Sequence, residues 1–264
     1  MDSRAVGGLT VTALRDGRGP FLDWAKAFPG AGEREWELAR AADPAAFAED
    51  GKWWLDFRAF AIQGADGGVV LVDTGIGPAG APASSFADTP GRLPSVLAEA
   101  GIAPEDVSTV VLTHLHTDHC GWAVDAAGTP TFPNARYILQ RTETAWLEES
   151  APLYSWAVRP LREAGQLDEV DGQLTLAKAA SGETVTVFPT PGHTPGHQSV
   201  VVESRDTQLV VTGDVLVHAV QLMTPSVGYV YERDQELARR TREEVLARKA
   251  VFATPHLTEP FTEL

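Results

Sequence analysis

The sequence predicts an α/β fold, a sandwich of sheets closed into one domain of 264 residues. Short apolar runs of β-type composition recur along the chain, separated by helix-patterned stretches and by Gly- and Pro-rich turns. Several of these runs lead into an Asp or a His, at Asp73, His114, Asp214 and His256. The halves ending at Asp73 and Asp214 also read alike, as strand followed by acid, without any tandem repeat of fixed period. A chain of this length is large enough for a single core, and 44% hydrophobic residues is ordinary for it.

From the N-terminus, residues 9–14 read as a strand before an Asp16-Gly17 turn. The segment from about 15 to 57 is unusual, with Phe21, Trp24, Phe28, Trp36, Phe47, Trp53, Trp54 and Phe57 interleaved with Pro, Gly and acids, and with a short helix over 33–40. So many aromatics cannot all face water, so this arm is expected to pack on the chain's own core; the wall of an apolar pocket or a homodimer contact are the alternatives. Residues 57–63 and 69–72 flank Gly64-Ala65-Asp66-Gly67-Gly68, a hairpin signal. The second run ends in Asp73-Thr74-Gly75, and residues 75–91, rich in Gly, Ala, Pro and Ser, read as a loop. A helix over 94–100 follows, ended by Gly101.

The next apolar run, 108–112, opens into Thr113-His114-Leu115-His116-Thr117-Asp118-His119. His114, His116, Asp118 and His119 all bind metal, as imidazole or carboxylate. On a helix such ligands would be spaced i, i+4; the i, i+2 spacing straight after a strand suits a tight loop whose alternate side chains converge. Zinc takes His nitrogen and Asp oxygen, usually four ligands, and a catalytic site leaves one position for water, so one loop cannot complete two such sites. The chain holds only seven His. His193 lies in the Gly/Pro turn 190–197, Asp214 follows the run 208–212, and His256 follows the run 250–253. Each sits just past a strand-like run, so a sandwich would bring them to one edge. Any one alone reads as a capped loop residue; the set reads as a metal centre. His197 reads as a hydrogen-bonded turn residue, Cys120 as a small buried hydrophobe, and Trp122 equally as pocket wall or core.

Residues 135–139 form another strand, and Gln140-Arg141-Thr142-Glu143 opens a helix. Strands over 184–188, 198–203 and 208–212 make the second half's sheet, with a turn at Ser204-Arg205-Asp206-Thr207. Asp234 caps a last helix running to about Lys249, with acids in its first turn and Arg and Lys in its last.

Composition weighs against nucleic acid and membrane as partners. The net charge is −15, from 21 Lys and Arg against 36 Asp and Glu, and a nucleic acid needs Lys and Arg on its phosphates. No window approaches the ~20 apolar residues of a membrane span. Residues 1–12 lack the basic-then-apolar pattern of a signal peptide, and a single Cys excludes an internal disulfide; both predict a cytoplasmic protein.

The order H-x-H-x-D-H, G-H, G-D and a late His, spread over about residues 55–258, resembles the metallo-β-lactamase superfamily. That resemblance implies an αβ/βα four-layer sandwich. It implies that His114, His116 and His193 hold one metal and Asp118, His119 and His256 a second, with Asp214 bridging and Asp73 orienting the metal-binding loop. His116 stands where the flavodiiron branch has Glu, and Asp214 where some true β-lactamases have Cys. Gln140-Arg141-Thr142-Glu143 and the 190–199 segment are similar to the branch of N-acyl-homoserine lactone lactonases and their organophosphate- and ester-cleaving relatives. Those lactonases carry a Tyr three residues after the bridging Asp, where this chain has Val217; His218, Tyr229 or Tyr231 would have to substitute.

The chemistry expected is hydrolysis at two Zn ions, with Mn, Fe or Co also acceptable to His and Asp ligands. A hydroxide shared between the metals would attack the expected partner, a small molecule that is a lactone or related ester with an apolar portion, and Asp118 or Asp214 would pass a proton to the leaving oxygen. The alternatives are a mononuclear iron dioxygenase acting on persulfides, or a β-lactam, thioester or phosphotriester hydrolase of the same superfamily. A fold kept only as a binding module would show eroded ligands, and all seven candidates are present.

Overall fold

A computed structural model gives the fold and describes residues 1–64, 68–87 and 90–263. Seven strands make the first sheet in sequence order: β1 (Ser3–Val6), β2 (Leu9–Asp23), β3 (Lys52–Gln63), β4 (Val69–Val72), β5 (Val107–Val111), β6 (Arg136–Gln140) and β7 (Leu167–Val170). Its first half is antiparallel and β4 to β7 run parallel. The second sheet has the order β13-β12-β11-β10-β9-β8, from β8 (Leu174–Lys178), β9 (Thr184–Pro189), β10 (Gln198–Glu203), β11 (Gln208–Val211), β12 (Val251–Ala253) and β13 (Phe261–Glu263). Here β11 and β12 are the parallel pair.

The two sheets face each other across one apolar layer. Val70 and Val72 of β4, Val200 and Val202 of β10, and Leu209 and Val211 of β11 point into it. The intervening residues point out, because successive side chains of a strand alternate faces. Leu71 packs with helix α3 (Leu93–Glu99; α1 is Trp24–Ala27 and α2 Glu33–Ala42) and with Ala157, Val158 and Leu161 around α5 (Arg159–Glu163; α4 is Arg141–Trp146). On the opposite side Val201, Val210 and Phe252 pack on Val245 of α7 (Gln235–Leu246; α6 is Ala219–Met223). Helix, sheet, sheet, helix is the four-layer αβ/βα sandwich expected. Strands such as β4 read as unbroken apolar runs because both of their faces are covered.

The aromatic arm packs on the chain itself: Phe28, Trp53 and Phe57 are buried in a cluster with Val217, Val220 and Tyr229, and Trp24, Trp36 and Phe47 close over it. Helix α2 stands where a helix was expected. The strand placed over 9–14 does not stop at an Asp16-Gly17 turn; β2 runs on through it to Asp23, with a register shift between Arg15 and Gly17. An Asp-Gly pair serves a bulge as well as a turn, and here the bulge frees a buried Asp16 carboxylate to accept from the amides of Ile76 (2.7 Å) and Leu93 (2.6 Å). The last helix is also shorter than expected: it ends at Leu246, leaving Arg248 and Lys249 beyond its last turn. The hairpin register closes at Gln63 opposite Val69, with residues 65–67 outside the described set, as are 88 and 89 of the loop over 75–91. Among the described residues no helix is long and apolar enough to cross a membrane.

Candidate metal centre

The parallel strands decide where the candidate ligands go. Strands β4 and β5 run side by side, so Asp73 and the loop 113–119 leave the first sheet at the same edge. In the second sheet β11 and β12 are likewise parallel, and β9 shares their direction, so Asp214, His256 and the turn holding His193 emerge together. With the sheets face to face, the two edges meet.

All seven candidate ligands are in one cluster. His114, His116, His193 and Asp214 form one group able to hold a cation, and Asp118, His119 and His256 a second. His193 Nε2 lies 2.9 Å from His116 Nδ1 and 3.2 Å from Asp214 Oδ2, with His114 Nε2 3.8 Å from that same oxygen. Asp214 turns its other oxygen the other way: Oδ1 is 3.2 Å from His119 Nε2 and 3.1 Å from His256 Nε2. Asp118 Oδ2 is 3.7 Å from His119 Nε2 and 3.6 Å from His256 Nε2.

Hydrogen bonds on the far side of each ring decide which nitrogen faces inward. Asp73 accepts from the Thr113 amide (2.7 Å) and hydroxyl (2.9 Å) and from His119 Nδ1 (2.8 Å). The Thr113 hydroxyl, having given its proton to Asp73, accepts from His114 Nδ1 at 3.0 Å. His256 Nδ1 donates to the Asp56 carbonyl at 2.8 Å. Each of these three rings therefore turns its Nε2 to the centre, the nitrogen that a neutral imidazole with Nδ1–H offers to a metal. His197, buried, is not in either group; its Nε2 accepts from the Asp214 amide at 2.9 Å and so holds that residue's backbone. Gly213 must be Gly, with φ +53 and a would-be Cβ only 2.6 Å from His197 Nε2.

Several groups to which the sequence assigns no role brace this centre. Glu143, fully buried, accepts from the amides of Leu115 (2.8 Å) and Gly196 (2.9 Å), tying the 113–119 loop to the His193 turn. Arg58, also buried, donates to the carbonyls of Leu257 and Thr258 and to Asp56 Oδ2, clamping the loop that carries His256. Arg242 pairs with Glu232 at 2.7 Å and donates to the Val215 and Val227 carbonyls, both at 3.1 Å. Glu143 sits in a segment that the sequence marked for its wording; the two arginines carry no local signal.

Burial lowers His114 and His116 well below the usual imidazole range. Burial opposes protonation of His119 and His256 too, but the carboxylates around them, Asp214 foremost, raise both. The same imidazoles outweigh burial at Asp214 and hold its carboxyl well below the usual range. His114 Nε2 and Asp214 Oδ1 are sealed from solvent with no hydrogen-bond partner among the described residues. Leaving such atoms unpaired costs about 1–3 kcal/mol each. Lone pairs converging from imidazoles and carboxylates fit divalent cations, which would satisfy them.

Beside the cluster opens a cavity of about 700 Å³, with His116, Asp118, Asp214 and His256 on its floor. Phe21, Trp53 and Phe86 line one side, Trp146, Leu147 and Leu153 another, and Tyr229, Tyr231 and Arg233 also reach it. The aromatic arm is thus both core and pocket wall. Of the residues considered for the missing Tyr, His218 is buried in an aromatic nest of Phe28, Trp36, Phe47 and Trp53, away from the cavity lining. Tyr231 is half exposed, while Tyr229 stacks on His193 with ring centroids 6.1 Å apart and planes 4° apart. Cys120 is buried core, its thiol donating to the His114 carbonyl, and Trp122 packs on the same core and donates to Asp16.

Residues 58–254 match the family model described as "Metallo-beta-lactamase superfamily". Among curated proteins, an N-acyl homoserine lactonase of Bacillus sp is 26% identical over 168 residues, 62% of each chain. The N-acyl homoserine lactonase AttM of Agrobacterium fabrum is 35% identical over 129 residues, 43% of each. The chain thus spans about three fifths of the length of the first of these relatives. Among solved structures, the hydrolase AbOPH of the beta lactamase superfamily superposes with a TM-score of 0.80 at 26% identity, covering 99% of this chain and 91% of that one. AidC, a dizinc quorum-quenching lactonase, shares the fold with a TM-score of 0.75 at 22% identity, covering 100% and 93%.

Proposed function

Since the chain belongs to the metallo-beta-lactamase superfamily, we propose that it is a metal-dependent hydrolase that opens a lactone, or cleaves a related ester, at a pair of cations. His114, His116 and His193 would hold one ion and Asp118, His119 and His256 the other, with Asp214 shared. Zinc suits this His and Asp set, and Mn, Fe or Co would also be accepted. The observation that carries the reading is the split of Asp214, one oxygen turned to each group of imidazoles. Lactones are favoured among esters by the curated relatives, which are lactonases.

Bound divalent cations supply Lewis acidity and a water acidic enough to attack near neutral pH. The chain's own residues do the rest. The Phe21, Trp53 and Phe86 wall takes the apolar portion of the substrate and keeps bulk water from it. Asp118, less enclosed than Asp214, receives the proton lost by the attacking water and returns it to the leaving oxygen. Tyr229 takes the place of the missing Tyr and hydrogen-bonds the carbonyl that is attacked.

Elemental analysis of the purified protein, with turnover of a panel of lactones, thioesters, β-lactams and phosphotriesters, tests this. Two ions per chain and preferred lactone opening are expected. One iron per chain with oxygen uptake on a persulfide would replace the reading with a dioxygenase.

A further inference from the structure

We propose that Arg233 makes the mouth of the cavity a subsite for a carboxylate on the substrate, remote from the bond that is cleaved. The inference rests on the hydrolase reading above and narrows its substrate class to lactones or esters whose apolar body carries a free carboxylate.

Arg233 lines the same cavity as His116, Asp118, Asp214 and His256. Its backbone amide donates to the His193 carbonyl at 3.1 Å, so its Cα is tied to the metal centre itself. The neighbours on either side are held as firmly. The buried Glu232 pairs with Arg242, and the Asp234 amide donates to the Gly192 carbonyl at 3.0 Å. The side chain is exposed, and its guanidinium lies over the ring of Trp146, 4.6 Å from the centroid, with Trp146 itself a wall of the cavity. Stacking uses the face of the guanidinium and leaves its N–H edge free.

That edge has no ion-pair partner among the described residues, although the chain carries 36 acids and the nearby Arg239, Arg240 and Arg242 are all paired. An unpaired planar fork on a fixed backbone matches a carboxylate, which it can bind through two parallel hydrogen bonds. The other charged groups lining the cavity are the carboxylates and imidazoles of the floor. With a net charge of −15, the protein's field opposes an anion's approach, so a cation at the mouth supplies what a carboxylate-bearing substrate needs there.

Calorimetric titration of the metal-loaded protein with two non-hydrolysable amide analogues tests this. One has an alkyl chain ending in a carboxylate, and the other is its methyl-ester-capped twin. A charged hydrogen bond of roughly 1.5–3 kcal/mol corresponds to tighter binding of the free carboxylate by about 10–150-fold. Arg233→Met should collapse that ratio toward one, and Arg233→Lys, which keeps the charge without the fork, should leave an intermediate ratio that falls as salt is added. Absence of a preference in the wild type, or its persistence in Arg233→Met because the carboxylate sits on the cations, overturns the proposal. Binding is read whether or not turnover occurs. Failure to hydrolyse the matching esters would therefore count against the lactone and ester reading and not against this subsite.

Discussion

Replacing Arg58 with Met should strip support from one half of the metal centre and leave the other intact. Arg58 is 5% exposed and its partner Asp56 1%. Met fills much of the same volume but leaves the Asp56 carboxylate without its 2.9 Å partner and the Leu257 and Thr258 carbonyls without a donor. Removing one member of a buried pair costs about 3–5 kcal/mol. Arg15 and Arg18, 3.6 and 3.9 Å from Asp56, remain to share the charge, which favours the lower end. At about 2 °C per kcal/mol for a chain of this size, the unfolding midpoint should fall by roughly 6 °C. His256 is carried by the freed loop, so the cation held with Asp118 and His119 should bind about 10–100-fold more weakly, as when an outer partner of a ligand is lost. Chelator-competition titration, which resolves two binding steps, should show one step weakened and the other unchanged. A second change, Asp56→Leu, should recover part of the stability by removing the stranded carboxylate. If both binding steps match the wild type, Arg58 supports the fold alone and does not position His256.

Asp214→Ala should remove the oxygen offered to each group, lowering metal content and reducing turnover by more than about 100-fold; two tightly held ions with undiminished activity would refute the shared-ligand assignment. Burial sets the pKa of His218 at about 3, against an ordinary imidazole value of 6.5. As pH falls below 6.5 the unfolded chain takes up a proton that the folded chain refuses, so stability present above 6.5 is lost on acidification, by up to about 1.4 kcal/mol per pH unit. His218→Asn keeps an acceptor for the Val220 amide, which His218 Nδ1 now caps, but does not titrate. Urea unfolding between pH 4.5 and 7.5 should show a shallower slope by one proton for the variant; equal slopes would refute the assignment.

The candidate ligands were legible because coordination demands particular residue types, and because strand ends are where a sandwich exposes its loops. The sandwich of sheets followed from the same runs, since strands such as β4 and β10 are apolar enough to be recognised anywhere, while its αβ/βα layering came from the family resemblance. Edge strands were not. In β8, four of five residues are exposed or nearly so, and in β1 three of four, so they carry little apolar periodicity to read. The braces were illegible for a different reason. Arg58 reaches Leu257 across 199 residues of chain, and nothing near Arg58 announces it. On α7, Arg239, Arg240 and Arg242 look equivalent in sequence, yet Arg242 alone is turned fully inward. The Asp16-Gly17 pair shows a local signal misjudged, because turn and bulge share a vocabulary and only pairing with β3 separates them.

These buried charges have a physical consequence for how the site works. Apolar residues of similar volume in place of an ion pair such as Arg242–Glu232 would often be as stable or more so. Their presence is better accounted for by geometry than by stability. The candidate ligands come from two sheets and four loops, and a site must be held to within about 0.5 Å to be productive. Each buried polar group ties one ligand-bearing loop to a different element: Asp73 the 113–119 loop, Glu143 that loop to the His193 turn, His197 the Asp214 backbone, Arg58 the His256 loop. Glu143 ties the 113–119 loop to the His193 turn and Arg58 serves the His256 side alone, while Asp73 reaches both groups, His119 directly and His114 through Thr113. Asp214 turns an oxygen toward each group, and its own position depends on the buried, uncharged His197. Arg242 adds a second tether from the far direction: it donates to the Val215 carbonyl in the turn after Asp214 and to the Val227 carbonyl just before Tyr229, joining that cavity wall to the Asp214 turn.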